Sequence, residues 1–549
     1  LQVAAVIGRH FYRSPLAALV DDPAGLDTCL LELQRLELIR EIGRVPEPSY
    51  LFNHSLTQEA VYNTILLKQR RVLHLRVADV IETLRADNLT AVAAVLAHHF
   101  IEGDAPRRAL PYLLLAGAAA LRLHAVGEAI AAYHRAEPIA RAQPGDSADL
   151  ITVYTGHGRA LELLSQFAEA KATYEEMEAL AVERADPALE LEAVIAQGKL
   201  HANVTPFYDP VRGRALMERA RQLAEATGNQ TAEVRILWNL VNIDRFDLNT
   251  LANALVNGER GIILARELGL IEELAYLLND MGDIYGTAGQ IERARATLTE
   301  ARELWRTLGN EGMLADSLSN SAIWESFHGD LESALVFSEE ANAISIRLGN
   351  PWGEAYSTGV RGLTLGLMGL FGRAIADLQA GVEKAKTANF VGGQVIIGAF
   401  LSRILLEIGD IAGAADNAQQ AVVIAEGRLP QFAGIALGRL AMSRIAQGEL
   451  DAAAEALANP LAFIENQQYF VIYDVCAANI TLALARRDFD HALALADDAI
   501  GRLAHIGAEV WLPDLRHMRA RALMGLERFD EAAVDLGTAI DDARLMEIR

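Results

Sequence analysis

Small residues return along this chain at one fixed interval, and that interval limits what the chain can fold into. A turn of the form Gly-x-Φ-x-x-Ala, with Φ apolar, runs as Gly289-Gln290-Ile291-Glu292-Arg293-Ala294 and recurs 40 residues later at each of Gly329 to Ala334, Gly369 to Ala374 and Gly409 to Ala414. It continues at Gly448 to Ala453, then with the glycine replaced at Arg487 to Ala492 and Glu527 to Ala532. Upstream, Gly127-Glu128-Ala129 and Phe167-Ala168-Glu169-Ala170 fit the same frame, and Ala215 and Ala254 fill the two places between. A second mark keeps the same step: Leu268-Gly269, Leu308-Gly309-Asn310 and Leu348-Gly349-Asn350. A Gly or Gly-Asn after a helical stretch reads as a left-handed C-terminal cap. Each unit is therefore helix, Gly turn, helix, Gly cap, with helices of about 15–18 residues. A side chain larger than methyl at the alanine would push two antiparallel helices apart. One such pair cannot bury its apolar faces alone, so neighbours must stack into a solenoid.

Composition agrees. Aromatic residues make up 6% of the 549 and there are 15 prolines, while Ala and Leu dominate; both lose little freedom in a helix, and Ala lets backbones approach. The formal net charge is −24, of which residues 1–100 hold −1 and the remainder −23. So acidic a surface repels phosphate backbones and argues against extended nucleic-acid binding. Cys29 and Cys476 stand far apart, which supports neither a disulfide scaffold nor a cysteine zinc site and fits a reducing cytoplasm. No uninterrupted apolar run reaches membrane-spanning length. The start, Leu1 to Gly8, is apolar but has no basic leader or cleavage site; it opens in mid-helix without Met, so the chain reads as part of a longer protein.

The unit carrying Leu278, Met281-Gly282, Tyr285, Ala294, Leu298 and Ala301 resembles the tetratricopeptide consensus at the same spacings. Leu113, Ala116-Gly117, Ala129, Tyr133 and Ala136 match it too, as do Gly158, Leu161, Phe167, Ala170 and Tyr174. Glu325 in place of the Tyr and Thr358 in place of the first Leu depart from it, and the period exceeds the usual 34 or so. The resemblance implies an all-α fold: a tetratricopeptide-like α-solenoid, a right-handed superhelix, of about eleven helix pairs over residues 101–549.

Residues 1–100 lack the repeat. Helical patterns at Leu1–Gly8, Pro15–Val20 and Gly25–Leu36 precede Leu38 to Ile42, a turn with Pro46 and Pro48, and Tyr50-Leu51-Phe52. Three helices followed by a β-hairpin outline a winged-helix-like domain, followed by an amphipathic helix from about Thr57 into Leu84 and connecting helices. Its third helix sets Asp27, Glu32 and Glu37 against Arg35 alone, a poor face for DNA. The run Lys68-Gln69-Arg70-Arg71 reads as a solvated helix face. The segments Tyr50 to Tyr62, Arg70-Arg71-Val72-Leu73-His74 and Leu96-Ala97-His98-His99-Phe100 resemble a signature of bacterial signal-transducing (STAND-type) ATPases with tetratricopeptide arrays. Such a signature occurs after the P-loop core and often accompanies an adenylate or guanylate cyclase. That resemblance implies an ADP-phosphate contact by His54, dependent on an upstream ATPase core; the alternative is that His54 caps the next helix or packs in the turn.

No catalytic constellation emerges. The chain has no Gly-x-x-x-x-Gly-Lys-Ser/Thr run, so ATP or ADP would belong to the parent protein and no cofactor is expected here. His98 and His99 are adjacent and project about 100° apart on a helix, unlike an i, i+4 metal pair; no metal site is expected. Glu272-Glu273 and Asp497-Asp498 read as solvated surface, and no serine sits in a nucleophile elbow. The chain reads as a non-enzyme.

In a solenoid the first helix of each pair lines the concave face, and aligning on the alanines places Asn239, Tyr276, Asn279, Asp283, Asp316 and Asn320 there. These would orient a polar ligand or a protein partner. The reading is thus a cytoplasmic sensor and scaffold region of a bacterial signalling ATPase, its partners a groove ligand and the upstream ATPase domain, with neither nucleic acid nor membrane. Two alternatives stand beside it: the sensing part of a maltose-activator-like transcription factor, disfavoured because the chain ends at Arg549 in a helical pattern, and a stand-alone adaptor.

Overall fold

The computed structural model describes the chain except residues 46, 124, 144–146, 204, 246–249, 430–431, 460–468, 547 and 549, and the side chains of 428 and 469–471. Pro46, assigned above to a turn, thus lies outside the described residues. The chain forms two compact units, Leu1–Leu163 and Leu164–Arg549.

The first unit opens with α1 (Gln2–Ile7), β1 (His10–Tyr12), α2 (Arg13–Leu19), α3 (Leu26–Arg35), β2 (Ile39–Gly43) and β3 (Ser49–Phe52). The hairpin expected around Pro48 is β2–β3. The unexpected β1 joins it to make an antiparallel sheet of order β1-β3-β2, with Phe11 opposite Tyr50 and Ile39 opposite Phe52. Phe11, Leu16, Leu30, Ile39 and Phe52 are buried together beneath it. On α3, Asp27 accepts from Nε and Nη2 of Arg13, at 2.7 and 2.9 Å.

The single helix expected from Thr57 to Leu84 is two, α4 (Ser55–Asn63) and α5 (Leu67–Leu84). Ile65 turns into the core at the break, and the Arg70 guanidinium donates to its freed carbonyl at 3.2 and 3.1 Å. Arg70 also lies over the Tyr62 ring, and Arg71 pairs with Asp104 at 2.8 Å. Lys68, Gln69 and Arg71 are exposed and Arg70 is half-buried, so the run is a solvated helix face on which two arginines find partners. After it come α6 (Leu89–Glu102), the hairpin α7 (Pro106–Arg122) and α8 (Val126–Arg141), and α9 (Ala148–Leu163).

The second unit begins with α10 (Phe167–Arg184) and continues as helix hairpins. These are α11 (Pro187–Ala202) with α12 (Pro210–Thr227), α13 (Gln230–Asp244) with α14 (Leu251–Glu267), and α15 (Ile271–Thr287) with α16 (Ile291–Leu308). Next are α17 (Glu311–His328) with α18 (Leu331–Leu348), α19 (Pro351–Leu367) with α20 (Phe371–Thr387), and α21 (Val391–Glu407) with α22 (Ile411–Arg428). The last are α23 (Ala433–Ala446) with α24 (Leu450–Ala458), α25 (Tyr469–Ala485) with α26 (Phe489–His505), and α27 (Leu512–Gly525) with α28 (Phe529–Leu545). Consecutive antiparallel pairs of this kind are the tetratricopeptide-like α-solenoid that the repeat predicts.

The recurring alanines, from Ala254 through Ala294 and Ala334 to Ala532, are buried between the helices of their pairs. Ala215 is not; it is exposed, and Gly213 takes the small position. A methyl at Gly213 would lie 3.2 Å from the Ile243 side chain and 3.4 Å from the His201 backbone, so the position leaves little room beyond a methyl. The turn glycines adopt the left-handed conformation, with φ +72° at Gly289 and +86° at Gly409. After each Gly-Asn, the asparagine caps the next helix: Asn310 accepts from the Met313 amide and Asn350 from the Gly353 amide.

Successive first helices, α11, α13, α15, α17, α19, α21 and α23, pack directly on one another and form the inner layer. A simple solenoid would touch mainly its sequence neighbours; this unit does more. Its last hairpins return to the middle of the array. Trp511 packs on Phe327, and one apolar core joins Leu298, Trp324, Phe327 and Leu363 with Tyr473, Leu503 and Leu515.

Candidate ligand pocket

Inside the second unit the inner layer leaves a cavity of about 380 Å³, at the small end for a ligand site. Its walls follow from helical phase. The helices α15, α17, α19 and α21 start 40 residues apart, so residues at the same place in each fall in rows. One row reads Asp316, Tyr356, Ile396; the next Asp280, Asn320, Val360, Phe400; a third Asp283, Ile323, Leu363. Within a helix these places are four and three residues apart, hence on one face. The wall is acidic at α15 and α17 and becomes apolar by α19 and α21.

The acidic end holds three carboxylates and one guanidinium. Arg245 lies 3.0 Å from Asp283 and 3.5 Å from Asp280. Burial alone would lower the Arg245 pKa, but attraction from these two aspartates outweighs it and raises the pKa, keeping the group charged. Asp280 also accepts from Trp238 Nε1 at 2.6 Å and from the Asn242 amide at 3.1 Å. Asp316 differs. Its hydrogen-bond partner is the Asn279 amide, at 3.0 Å, and no Lys or Arg among the described residues forms an ion pair with it. Burial, reinforced by the charge of Asp280 and opposed by the Asn279 hydrogen bond and, less, by the nearby charge of Arg245, pushes Asp316 up to about 6.

The opposite side is aromatic. Trp352, Tyr356 and Phe390 form a cluster, with Trp352 4.7 Å from Phe390 and 5.3 Å from Tyr356 between ring centroids. The Tyr356 hydroxyl donates to Asn320 Oδ1 at 2.6 Å. Trp324, Phe327 and Phe400 complete the apolar part. Beneath them Arg403 is buried against Trp511 and paired with Glu407 at 2.8 Å.

Of the six groove residues expected from sequence, Asp283, Asp316 and Asn320 line the cavity. Asn279 stands behind Asp316 and orients it. Asn239 is buried and donates to the Arg235 carbonyl of its own helix at 2.9 Å. Tyr276 packs between the rings of Trp238 and Trp305. Sequence reasoning missed Arg245, Asp280 and the aromatic wall. Their signal was present: Trp352 and Tyr356 lie in an inner helix of a chain with only five tryptophans. His54 stands exposed immediately before α4 and makes no side-chain cap.

No protein-family model matches the chain. An uncharacterized protein of Rhizobium meliloti (strain 1021) is 33% identical over 121 residues, which are 21% of this chain and 12% of that protein. Among solved structures, a Rap protein complexed with competence and sporulation factor is 14% identical, covering 72% of this chain and 98% of that one, with a TM-score of 0.48. A signal-transduction ATPase with numerous domains and a tetratricopeptide repeat sensor, from Pyrococcus horikoshii, is 12% identical, covering 83% and 62%, with a TM-score of 0.39. The Cut9–Hcn1 hetero-tetramer is 13% identical, covering 96% and 98%, with a TM-score of 0.40. These are distant likenesses; the repeat assignment rests on the helix hairpins themselves. No helix of the described residues is long and apolar enough to cross a membrane.

Proposed function

We propose that the chain is a cytoplasmic ligand-sensing and scaffolding region, non-catalytic in itself, of a bacterial signal-transducing ATPase. Its ligand is an apolar molecule, or the end of a peptide, that carries a positive charge. The observation that carries this reading is Asp316, a buried carboxylate paired with an amide instead of a cation and facing a cavity walled by aromatic rings. A bound cation would satisfy that carboxylate and gain from the ring faces, a contact worth about 0.5–2 kcal/mol. The wall's passage from acidic to apolar suits a ligand charged at one end only. The cavity volume limits the buried part to a small molecule or one or two side chains.

The ATPase link rests on the head. Its order α1-β1-α2-α3-β2-β3 supports a winged-helix assignment, and the exposure of His54 supports its reading as a nucleotide contact in the parent protein. A P-loop coding region upstream in the gene would support this link, and its absence there would end it. For the pocket, a thermal-shift panel of paired fragments is decisive, each an aromatic ethylamine and its neutral alcohol. Amines should raise the melting temperature more than their alcohols, and Asp316→Asn should abolish the difference. Equal responses to amines and alcohols would refute the charged-ligand reading.

A further inference from the structure

Helices α5 and α6 bring three imidazoles together: His74 from the first, His98 and His99 from the second. One ring nitrogen of each lies within 4.8 Å of the other two. His74 Nδ1 is 2.8 Å from His99 Nδ1, and the His98 ring centroid is 5.8 Å from that of His74 and 5.4 Å from that of His99. Adjacency on one helix argues against His98 and His99 chelating alone. The fold supplies what the sequence could not, a third ring from α5 that meets both.

The far sides of the two buried rings are already held. The Tyr62 hydroxyl lies 3.0 Å from His74 Nε2, and the carbonyl of Ile7, at the end of α1, hydrogen-bonds the His99 ring. Oxygen partners of this kind orient histidines that bind metals and leave the opposite nitrogen as donor. His98 is exposed, as is Glu102 one turn further along α6, which gives an ion a path from solvent. A plain hydrogen bond accounts for His74 and His99 but leaves no role for His98.

We propose that His74, His98 and His99 bind one borderline divalent cation, zinc foremost, with water or the Glu102 carboxylate in the fourth position. Three neutral imidazoles are a common zinc ligand set, with Zn–N distances of about 2.0–2.1 Å. The ion would cross-link α5 to α6 and, through Tyr62 and Ile7, brace α4 and α1 against them.

The test uses the full chain, stripped by chelator and titrated with zinc and, separately, with cobalt(II). One equivalent of zinc should bind and raise the melting temperature, and cobalt should give the visible bands of a four-coordinate ion. His98→Ala, at an exposed site, should leave the metal-free melting temperature unchanged, weaken zinc at least tenfold and remove the bands. His74→Gln should do the same to the bands. If no bands form, or if His98→Ala binds zinc as tightly as the parent, the site does not exist and His74 and His99 are a hydrogen-bonded pair only.

Discussion

Asp316 places a charge where the empty protein is poorly equipped to hold one. With its carboxyl raised to about 6 by burial, from an ordinary value of 3.8, the folded state binds a proton that the unfolded chain has released. The group therefore favours folding below about pH 4, and that contribution is lost as pH rises through 6. Asp316→Asn keeps the shape and an acceptor for Asn279 while removing the charge. The variant should be more stable than the parent by about 1–2 kcal/mol at pH 7.5, with the gap closing near pH 4; urea unfolding at the two pH values measures it. An equal gap at both would trace the effect to packing. Arg439 and Asp474 pose the opposite case, a pair with both members buried. Arg439→Met leaves the carboxylate without its cation and should cost about 3–5 kcal/mol at neutral pH. The loss should shrink in acid, because burial already pushes Asp474 up and the lost arginine no longer opposes it. Adding Asp474→Leu should restore most of the stability, since a buried pair is often replaceable by apolar residues; a double variant as unstable as the single would show that the site needs its charges.

At the scale of the element, the turn between paired helices is one device used repeatedly, including where its glycine is missing. Arg487 and Glu527 hold φ +62°, the same left-handed conformation as the turn glycines. The following amides make the same closing bonds, Asp488 to the Ala483 carbonyl and Arg528 to the Leu523 carbonyl, both at 2.9 Å. A side chain in that conformation is strained, by roughly 1–2 kcal/mol. Arg487→Gly and Glu527→Gly should each stabilise the second unit by about 0.5–1 kcal/mol, the relief being partly offset by the greater freedom of glycine in the unfolded chain. Gly409→Ala, where a methyl would meet nothing within 4 Å, should destabilise by a similar amount; chemical denaturation of the three variants checks the sign. This device was legible in sequence because glycine and alanine mark the turn directly. Where another small residue substitutes, as Gly213 does, the frame slips and Ala215 is wrongly enlisted. The pocket was half legible for a related reason. Asp and Asn on an inner helix stand out, whereas Tyr356, Ile396 and Phe400 occupy the same rows but read as core. Arg245 follows the end of α13, outside the helical pattern. The three histidines needed tertiary contact between two helices to mean anything.

At the scale of the molecule, the second unit is bound to itself by more than its repeat interfaces. In an open solenoid each hairpin feels only its neighbours, so damage at one end stays there. Here Trp511, buried between Phe327 and Tyr473 with the Arg403 guanidinium over its ring, ties the last hairpins to α17. The turn at Gly289, where a methyl would lie 2.6 Å from the His505 carbonyl, shows how near the two stretches come. Trp511→Ala should cost about 3–5 kcal/mol through the lost ring and the cavity it leaves. The location of the loss is what distinguishes the two architectures. If the fold-back matters, hydrogen exchange should speed up in α17 and at the turn before α16 as well as in α25–α28, and amine fragments should bind the pocket more weakly, because Phe327 lines it. Exchange confined to α25–α28, with fragment binding intact, would make the contact incidental and the unit an ordinary open array. In the closed form, anything that fills the pocket also braces the seam beneath it, so occupancy and the docking of the last hairpins should stabilise one another, each raising the free energy needed to undo the other.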